Sequence, residues 1–309
     1  MQTQQITAAS LNLSLVAIVV TYHPKLEILQ RLVATISQQV LRVIIVDNGS
    51  LDLHLDDASG FPNAELIKLG DNLGIAAAQN VGIMRARQLG ASFVVLFDQD
   101  SNPGTDLLPT LYAEIQTLLN RNVRVACVGP RYFDARQTQP AAFVRIEGGR
   151  LRRIQCSEQS DVMPVDHLIA SGSMIPMQTL DVVGLMEEPL FIDYVDLEWC
   201  ERARVRGYQT YGVCKVTMSH ALGDEPIKFM GRPRPARSPL RHYYMMRNAV
   251  WIYRQPWPRL GWKIADALRL VRKYVFYSIF AKPRAQHVTM MTRGLWDGLI
   301  NKMGPYRAR

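Results

Sequence analysis

Residues 92–101 read Ser92-Phe93-Val94-Val95-Leu96-Phe97-Asp98-Gln99-Asp100-Ser101, with Pro103 and Gly104 just beyond. Five consecutive apolar or aromatic side chains suit a strand covered on both faces, and the Asp-Gln-Asp that ends it suits a loop leaving a sheet. Side chains alternate along an extended chain, so Asp98 and Asp100 share a side for as long as strand geometry persists. Two like charges on one side call for a cation. Hard carboxylate oxygens suit Mg2+ or Mn2+, which usually share their coordination with substrate phosphates. An acidic turn capping a helix that opens near Pro103 has the same composition, so the flanking chain must decide between the two readings.

Upstream, Val16 to Tyr22 reads as a first strand and Pro24 opens a helix, with Leu26, Leu29, Leu32, Val33 and Ile36 at helical spacing. Val43 to Val46 is a second strand ending in Asp47-Asn48-Gly49-Ser50, and Leu66 to Leu69 a third ending in Asp71-Asn72-Leu73-Gly74. A small-residue helix follows from about Ile75 to Leu89. Strands alternating with helices imply a parallel sheet, and each polar loop falls at a strand's C-terminal end, the edge where such sheets bind ligands. Asp47 is of a type that accepts from a base N–H, and Asn72, Asn80 and Asp98 suit ribose hydroxyls. Each also has a turn or helix-cap reading. No Gly-x-Gly-x-x-Gly follows the first strand, which argues against a dinucleotide site.

Downstream, the helix from Pro103 carries Leu107, Leu108, Leu111 and Ile115, and Val123 to Val128 is the next strand. Asp134 to Val162 is a polar, Arg-rich excursion of loops and a hairpin. Ala170-Ser171-Gly172-Ser173 lets something approach the backbone closely. Asp193-Tyr194-Val195-Asp196-Leu197-Glu198-Trp199 opens a helix that Gly207 ends; Asp193 and Asp196 suit an N-cap and equally a general base. Val213 to Met218 is a strand, followed by His220.

The net charge of +9 is unevenly spread: residues 240–309 hold 14 Lys or Arg against 2 acids. The division expected is a body over residues 1–239 and a basic helical extension over 240–309. Within the latter, a helix from Arg259 to Ala281 gathers Leu260, Ile264, Leu268, Val271 and Val275 on one face and Arg259, Lys263, Arg269 and Lys273 on the other. That pattern suits an interfacial helix on an anionic membrane with cations outward, and equally a helix packed on the body with a solvated basic face. Cys127, Cys156, Cys200 and Cys214 lie far apart with no Cys-x-x-Cys, so neither a zinc site nor a disulfide framework is expected, and a reducing compartment is the simpler inference. The apolar run Leu15 to Val20 is too short to span a membrane and lacks a signal peptide's charged start.

Taken together, Val19-Val20-Thr21-Tyr22, Ile45 to Ser50, Asn72-Leu73-Gly74 with Asn80, Asp98-Gln99-Asp100, Gly172-Ser173 and Asp193 to Trp199 resemble the family 2 glycosyltransferases of GT-A fold, over Val16 to about Gly223. The wording of the two acidic clusters is most similar to bacterial rhamnosyltransferases that use dTDP-L-rhamnose to build O-antigen or related surface polysaccharides. The resemblance implies an α/β fold of GT-A type, with a mostly parallel nucleotide-binding sheet flanked by helices. It implies that Thr21, Tyr22 and Asp47 contact the pyrimidine base, with Asn48, Asn72, Asn80, Asp98 and Gln99 also on the nucleotide. By the same likeness Asp100, with Asp98 and His220, holds Mg2+ or Mn2+. Asp196 takes the base role ahead of Asp193, and Gly172, Ser173, Glu198 and Trp199 lie by the sugars. The expected partners are a nucleotide-sugar donor, a saccharide or lipid-linked saccharide acceptor and an anionic membrane surface, in the cytoplasm or peripherally on the inner membrane. A Gln-x-x-Arg-Trp motif, carried by processive members, is absent, so one sugar per acceptor is expected. A nucleic-acid-binding module would use the basic tail but leaves the strand-end acids unexplained. A sugar nucleotidyltransferase would need a Gly-rich, Arg- and Lys-bearing loop after the first strand, and none is present.

Overall fold

The structure is a computed structural model that describes residues 14–51, 60–133, 140–157, 161–220, 224–229 and 232–307. In chain order the strands are β1 (Leu15–Thr21), β2 (Arg42–Asp47), β3 (Ala64–Lys68), β4 (Phe93–Asp98), β5 (Ser101–Pro103), β6 (Val125–Phe133), β7 (Phe143–Glu147), β8 (Arg150–Ile154), β9 (Val162–Val165), β10 (Met174–Pro176), β11 (Gln209–His220), β12 (Asp224–Phe229) and β13 (Arg232–Ala236). The helices are α1 (Leu26–Ser37), α2 (Ile75–Gln88), α3 (Leu107–Asn120), α4 (Met177–Val183), α5 (Val195–Val205), α6 (Pro239–Arg254), α7 (Leu260–Phe280) and α8 (Arg284–Leu299).

Eight strands run in the order β3-β2-β1-β4-β10-β6-β11-β5, with β9 also on β11. Every residue of β1 is buried, as a strand covered on both faces must be. Pairings β3-β2, β2-β1, β1-β4 and β6-β11 are parallel, while β10 enters antiparallel between β4 and β6. The sheet is thus mostly parallel with antiparallel additions, β10 among them because it arrives by a tight turn at Gly172 instead of a helical crossover. Helices α1 and α3 close one face through Leu29, Leu32, Ile36, Leu107 and Leu111; α2, α4 and α5 close the other through Ala76, Ala78, Leu180 and Trp199. In β1-β2-β4 the register sets Thr21 beside Asp47 and Val20 beside Asp98, so three polar strand ends meet at one edge.

Three expectations need correction, and the reading of the Arg-rich excursion is met over its described part. The helix after the Asp-Gln-Asp loop starts at Leu107, not Pro103, because Ser101–Pro103 pairs with β11 first. The Arg-rich excursion does hold a hairpin, β7-β8, but Asp134 to Gln139 and Glu158 to Ser160 lie outside the described residues. Cys156 and Cys214 form a disulfide across 58 residues. Pairing of β9 with β11 brings those distant positions together, so spacing alone gave no sign of it, and the ground for expecting a reducing compartment goes with it. Finally, α7 lies on the body with its cations turned inward: Arg269 pairs with Asp266, Lys273 donates to Met245, and Leu260, Ile264, Leu268, Val271 and Val275 are exposed. No helix among the described residues is long and apolar enough to cross a membrane.

Gly74 opens α2 at φ 92°, and a Cβ there would stand 2.6 Å from the Phe191 carbonyl oxygen. The adjacent Ile75 N–H donates to that same oxygen at 2.7 Å. Gly74→Ala is therefore expected to cost about 2 kcal/mol or more, from left-handed strain and the forced retreat of residue 191. A thermal melt should show Tm lower by about 3 °C.

Candidate active site

The crevice is built first by side-chain ties between strand ends. Asp47, buried at the end of β2, accepts from Thr21 Oγ1 at 3.0 Å, from Ser50 N at 2.9 Å and from the Ser50 hydroxyl. Asn48 Nδ2 donates to Asn72 Oδ1 at 3.0 Å, and Asn48 Oδ1 accepts from Leu73 N at 2.8 Å. The Gln99 amide spans to β1, accepting from Tyr22 N at 2.6 Å and donating to Tyr22 O at 3.2 Å. These residues are brought together as expected. Gln99 and Asn48 spend their side chains holding loops in place, and the Tyr22 ring remains half-exposed at the rim.

Beneath the Asp98–Asp100 turn lies the loop from residue 170 to 173. Ser171, fully buried, has its hydroxyl 2.6 Å from that of Ser101, and Tyr132 donates to the Ser171 carbonyl at 2.5 Å. Gly172 sits at φ 75° where a side chain would press on Pro130 and Met218, and the Ser173 hydroxyl is spent on Ile169 O at 2.6 Å. The role of Gly172-Ser173 visible here is support of the acidic turn rather than an open surface for a sugar.

Across the crevice, Phe191 to Tyr194 includes three non-glycine residues at positive φ: Phe191 at 65°, Asp193 at 62° and Tyr194 at 67°. Such a run is costly and persists only where its surroundings over-determine it. Asn248 Nδ2 lies 2.8–2.9 Å from the carbonyls of Leu190, Ile192 and Asp193. Arg247 donates to Pro189 O and Leu190 O. The Tyr194 hydroxyl donates to Asp266 at 2.7 Å, and Phe191 stacks on Tyr244. The loop so held delivers Asp193 and Asp196 to the start of α5.

Their environments differ sharply. Burial pushes the Asp193 carboxyl up, but Arg237 and Arg241 outweigh it and hold the pKa at about 2. Arg241 is bidentate, Nε to Oδ2 at 2.8 Å and Nη2 to Oδ1 at 3.0 Å, and Arg237 also binds Oδ1. Asp196 is raised to about 6 by burial, against the 2.9 Å hydrogen bond from Leu197 N, with Asp193 and Asp98 adding like charge. Burial disfavours the Arg241 charge, yet Asp193, then Asp98 and Asp196, hold its pKa above the ordinary value. The acids of the two clusters therefore act on one another across one crevice.

Three expected site residues stand elsewhere. Glu198 is buried in a bidentate pair with Arg202 at 2.7 and 2.8 Å, and that guanidinium also serves Val183 O and Leu185 O. Trp199 is a core residue whose Nε1 donates to Gly184 O at 2.9 Å. Asn80 is buried and tied to Met186 and Glu188, each contact 2.9 Å. All three shape the 183–190 segment instead of facing a ligand; a polar residue on a strongly patterned helix was read without knowing which face was covered. Arg241 and Arg247 were missed because they were counted only as tail charge, and Arg237 and Asn248 were not singled out at all. The signal was there in Arg247-Asn248, two polar groups amid Met245, Met246, Ala249 and Val250.

For a metal, Asp98 and Asp100 offer oxygen atoms, and the His220 backbone pairs with Ser101 one residue beyond them; the His220 side chain lies outside the described residues. Among the described residues no three His, Cys, Asp or Glu side chains group into a cage. Few oxygen ligands at an open crevice edge fit a divalent cation that takes the rest of its shell from a diphosphate and water.

The "Glycosyl transferase family 2" profile matches residues 17–177, more than half the chain. The chain belongs to this family. This glycosyltransferase is 34% identical over 246 residues to the dTDP-rhamnosyl transferase RfbF of Shigella flexneri, covering 79% of this chain and 81% of that one. It is 27% identical to the galactofuranosyltransferase GlfT1 of Mycolicibacterium smegmatis, covering 80% and 88%. Among solved structures, S. aureus TarS 1–349 in complex with UDP-GlcNAc superposes with a TM-score of 0.58 at 17% identity, covering 93% of this chain and 80% of that one. GalNAc-T7 with UDP, GalNAc and Mn2+ gives 0.62 at 13% identity, this chain spanning 56% of that one.

The two carboxylates of this glycosyltransferase should respond oppositely to neutralisation. Asp193→Asn leaves two cations unpaired and is expected to lower stability by about 2 kcal/mol, a contribution present above the unfolded carboxyl pKa and lost only as pH falls through about 2. Asp196 costs stability as pH rises from about 4, its unfolded value, through about 6, so Asp196→Asn should melt higher than the parent at pH 7.5. Thermal melts of both variants across pH check the signs.

Proposed function

We propose that this glycosyltransferase transfers L-rhamnose from dTDP-L-rhamnose, with inversion, to a saccharide or lipid-linked saccharide in surface polysaccharide (O-antigen) assembly at the cytoplasmic face of the inner membrane. The likeness to the dTDP-rhamnosyl transferase supports the donor. The observation that carries the chemistry is Asp196, raised to about 6 opposite Asp98 while Asp193 is consumed by two arginines. A general base works best with a pKa near the working pH, and a carboxylate held at about 2 is a poor proton acceptor.

In this reading Thr21, Tyr22, Asp47 and Asn72 shape the pocket for the base and ribose. Asp98 and Asp100, with His220, would hold Mg2+ or Mn2+. Such a cation supplies neutralisation of the charge that grows on the diphosphate as the glycosidic bond breaks. Asp196 takes the proton of the acceptor hydroxyl while that oxygen attacks the anomeric carbon from the face opposite the departing diphosphate. The Asp193 charge, fixed by Arg237 and Arg241, keeps Asp196 basic. A galactofuranosyl donor is the second reading, supported by the likeness to GlfT1.

A panel of nucleotide-sugars with and without a chelator tests the donor: metal-dependent release of dTDP from dTDP-L-rhamnose is expected, and preference for a galactofuranosyl donor would favour the second reading. Asp196→Asn should lower kcat by about 1,000-fold with donor binding retained, and Asp100→Ala should abolish transfer. For the parent, kcat/KM should fall as pH drops through about 6, because the base must be ionised. Full activity in Asp196→Asn would move the base role elsewhere.

A further inference from the structure

α7 carries apolar side chains on two faces. Against the body it buries Trp262, Ala265, Leu270 and Tyr277, with Asp266 among them accepting from Tyr194 at 2.7 Å and Tyr253 at 2.6 Å and pairing with Arg269. Burial, then Arg269 and Arg237, bring Lys273 down to about 7. Its outer face carries Leu260, Ile264, Leu268, Val271, Val275 and Ile279, each between 48% and 72% exposed. Spaced 4, 4, 3, 4 and 4, they form one stripe over about 100° of the helix, along five turns. A helix normally turns such a stripe to the core, so a free one of this length marks a surface meant to be covered.

What covers it is indicated by charge. Arg272, Lys282 and Arg284 are exposed on or beside this helix, and the β7-β8 hairpin, whose Gly149 abuts Gly261, adds exposed Arg150 and Arg153, with Arg152 paired to Glu147. Between residues 254 and 287 the one acid is Asp266, and it is buried. A second copy laid stripe to stripe would bring these cationic rims together, which is repulsive. A lipid surface with anionic headgroups complements both the stripe and its rim.

We infer that the outer face of α7, flanked by Arg272, Lys282, Arg284 and the β7-β8 arginines, docks this protein on an anionic lipid bilayer. The apolar stripe enters the headgroup and acyl boundary, and the cations sit at the level of the phosphates. On the inner side of the same helix, Asp266 holds Tyr194, two residues before Asp196. About one helix diameter, some 10 Å, thus separates the candidate base loop from the bilayer surface, within reach of a sugar carried on a lipid.

The surface does not depend on the donor assignment, and the test keeps the two apart. The full chain is sedimented with phosphatidylcholine vesicles with and without phosphatidylglycerol, and each variant is also assayed for donor hydrolysis. Binding to the anionic vesicles alone is expected. Leu268→Gln/Val271→Gln/Val275→Gln should bind about 100-fold more weakly, and Arg272→Glu/Lys282→Glu about 20-fold more weakly, both with parental melting and hydrolysis. Parental vesicle binding by either variant, or none by an active parent chain, overturns the proposal. A parent dimer in sedimentation velocity that the triple variant dissolves would assign the stripe to a second copy and overturn it equally.

Discussion

A single carboxamide and a single guanidinium decide the path of the chain from Pro189 to Tyr194. Leucine, isoleucine and aspartate carbonyls at 190, 192 and 193 converge on the Asn248 amide, and Arg247 gathers the carbonyls of Pro189 and Leu190. Three successive or near-successive positive-φ residues would relax without those donors, since each stores of order 1–3 kcal/mol. Both donors are fully buried, so the carbonyls have no competing water. The conformation of this loop is thus a property of α6 as much as of the loop's own sequence.

Electrostatics then separates two carboxylates three residues apart. Asp193 faces two guanidiniums and stays ionised; Asp196 faces a backbone amide and other acids and becomes basic. Neither property belongs to aspartate as a residue type, and neither follows from their order in the chain. The arginines act twice, holding Asp193 and leaving its negative charge as a fixed influence on Asp196.

The strand-end edge of the sheet was legible because a buried parallel strand announces itself: an apolar run, then a polar break, four times over from Val16 to Asp100. Strand-end residues such as Thr21, Asp47 and Asp98 had to share an edge once the sheet was parallel there. Glu198, Trp199 and Asn80 misled because their helices are covered on faces that pattern alone does not reveal, and a salt bridge or an amide tie looks like site chemistry in one dimension. The Cys156–Cys214 bond was hidden for the related reason that β9 reaches β11 only through tertiary pairing. The tail was visible as charge but not as architecture: Arg241, Arg247 and Asn248 read as surface cations and polar filler, and the cations of α7 were expected outside.

The dependence of the loop at 189–194 on α6 and α7 limits how this protein can be recombined with its relatives. A chimera cut near residue 239 would join the sheet of one parent to the C-terminal helices of another. It would also sever the carbonyl clamp from the loop it shapes. Swaps must therefore carry residues 186–307 as one cassette.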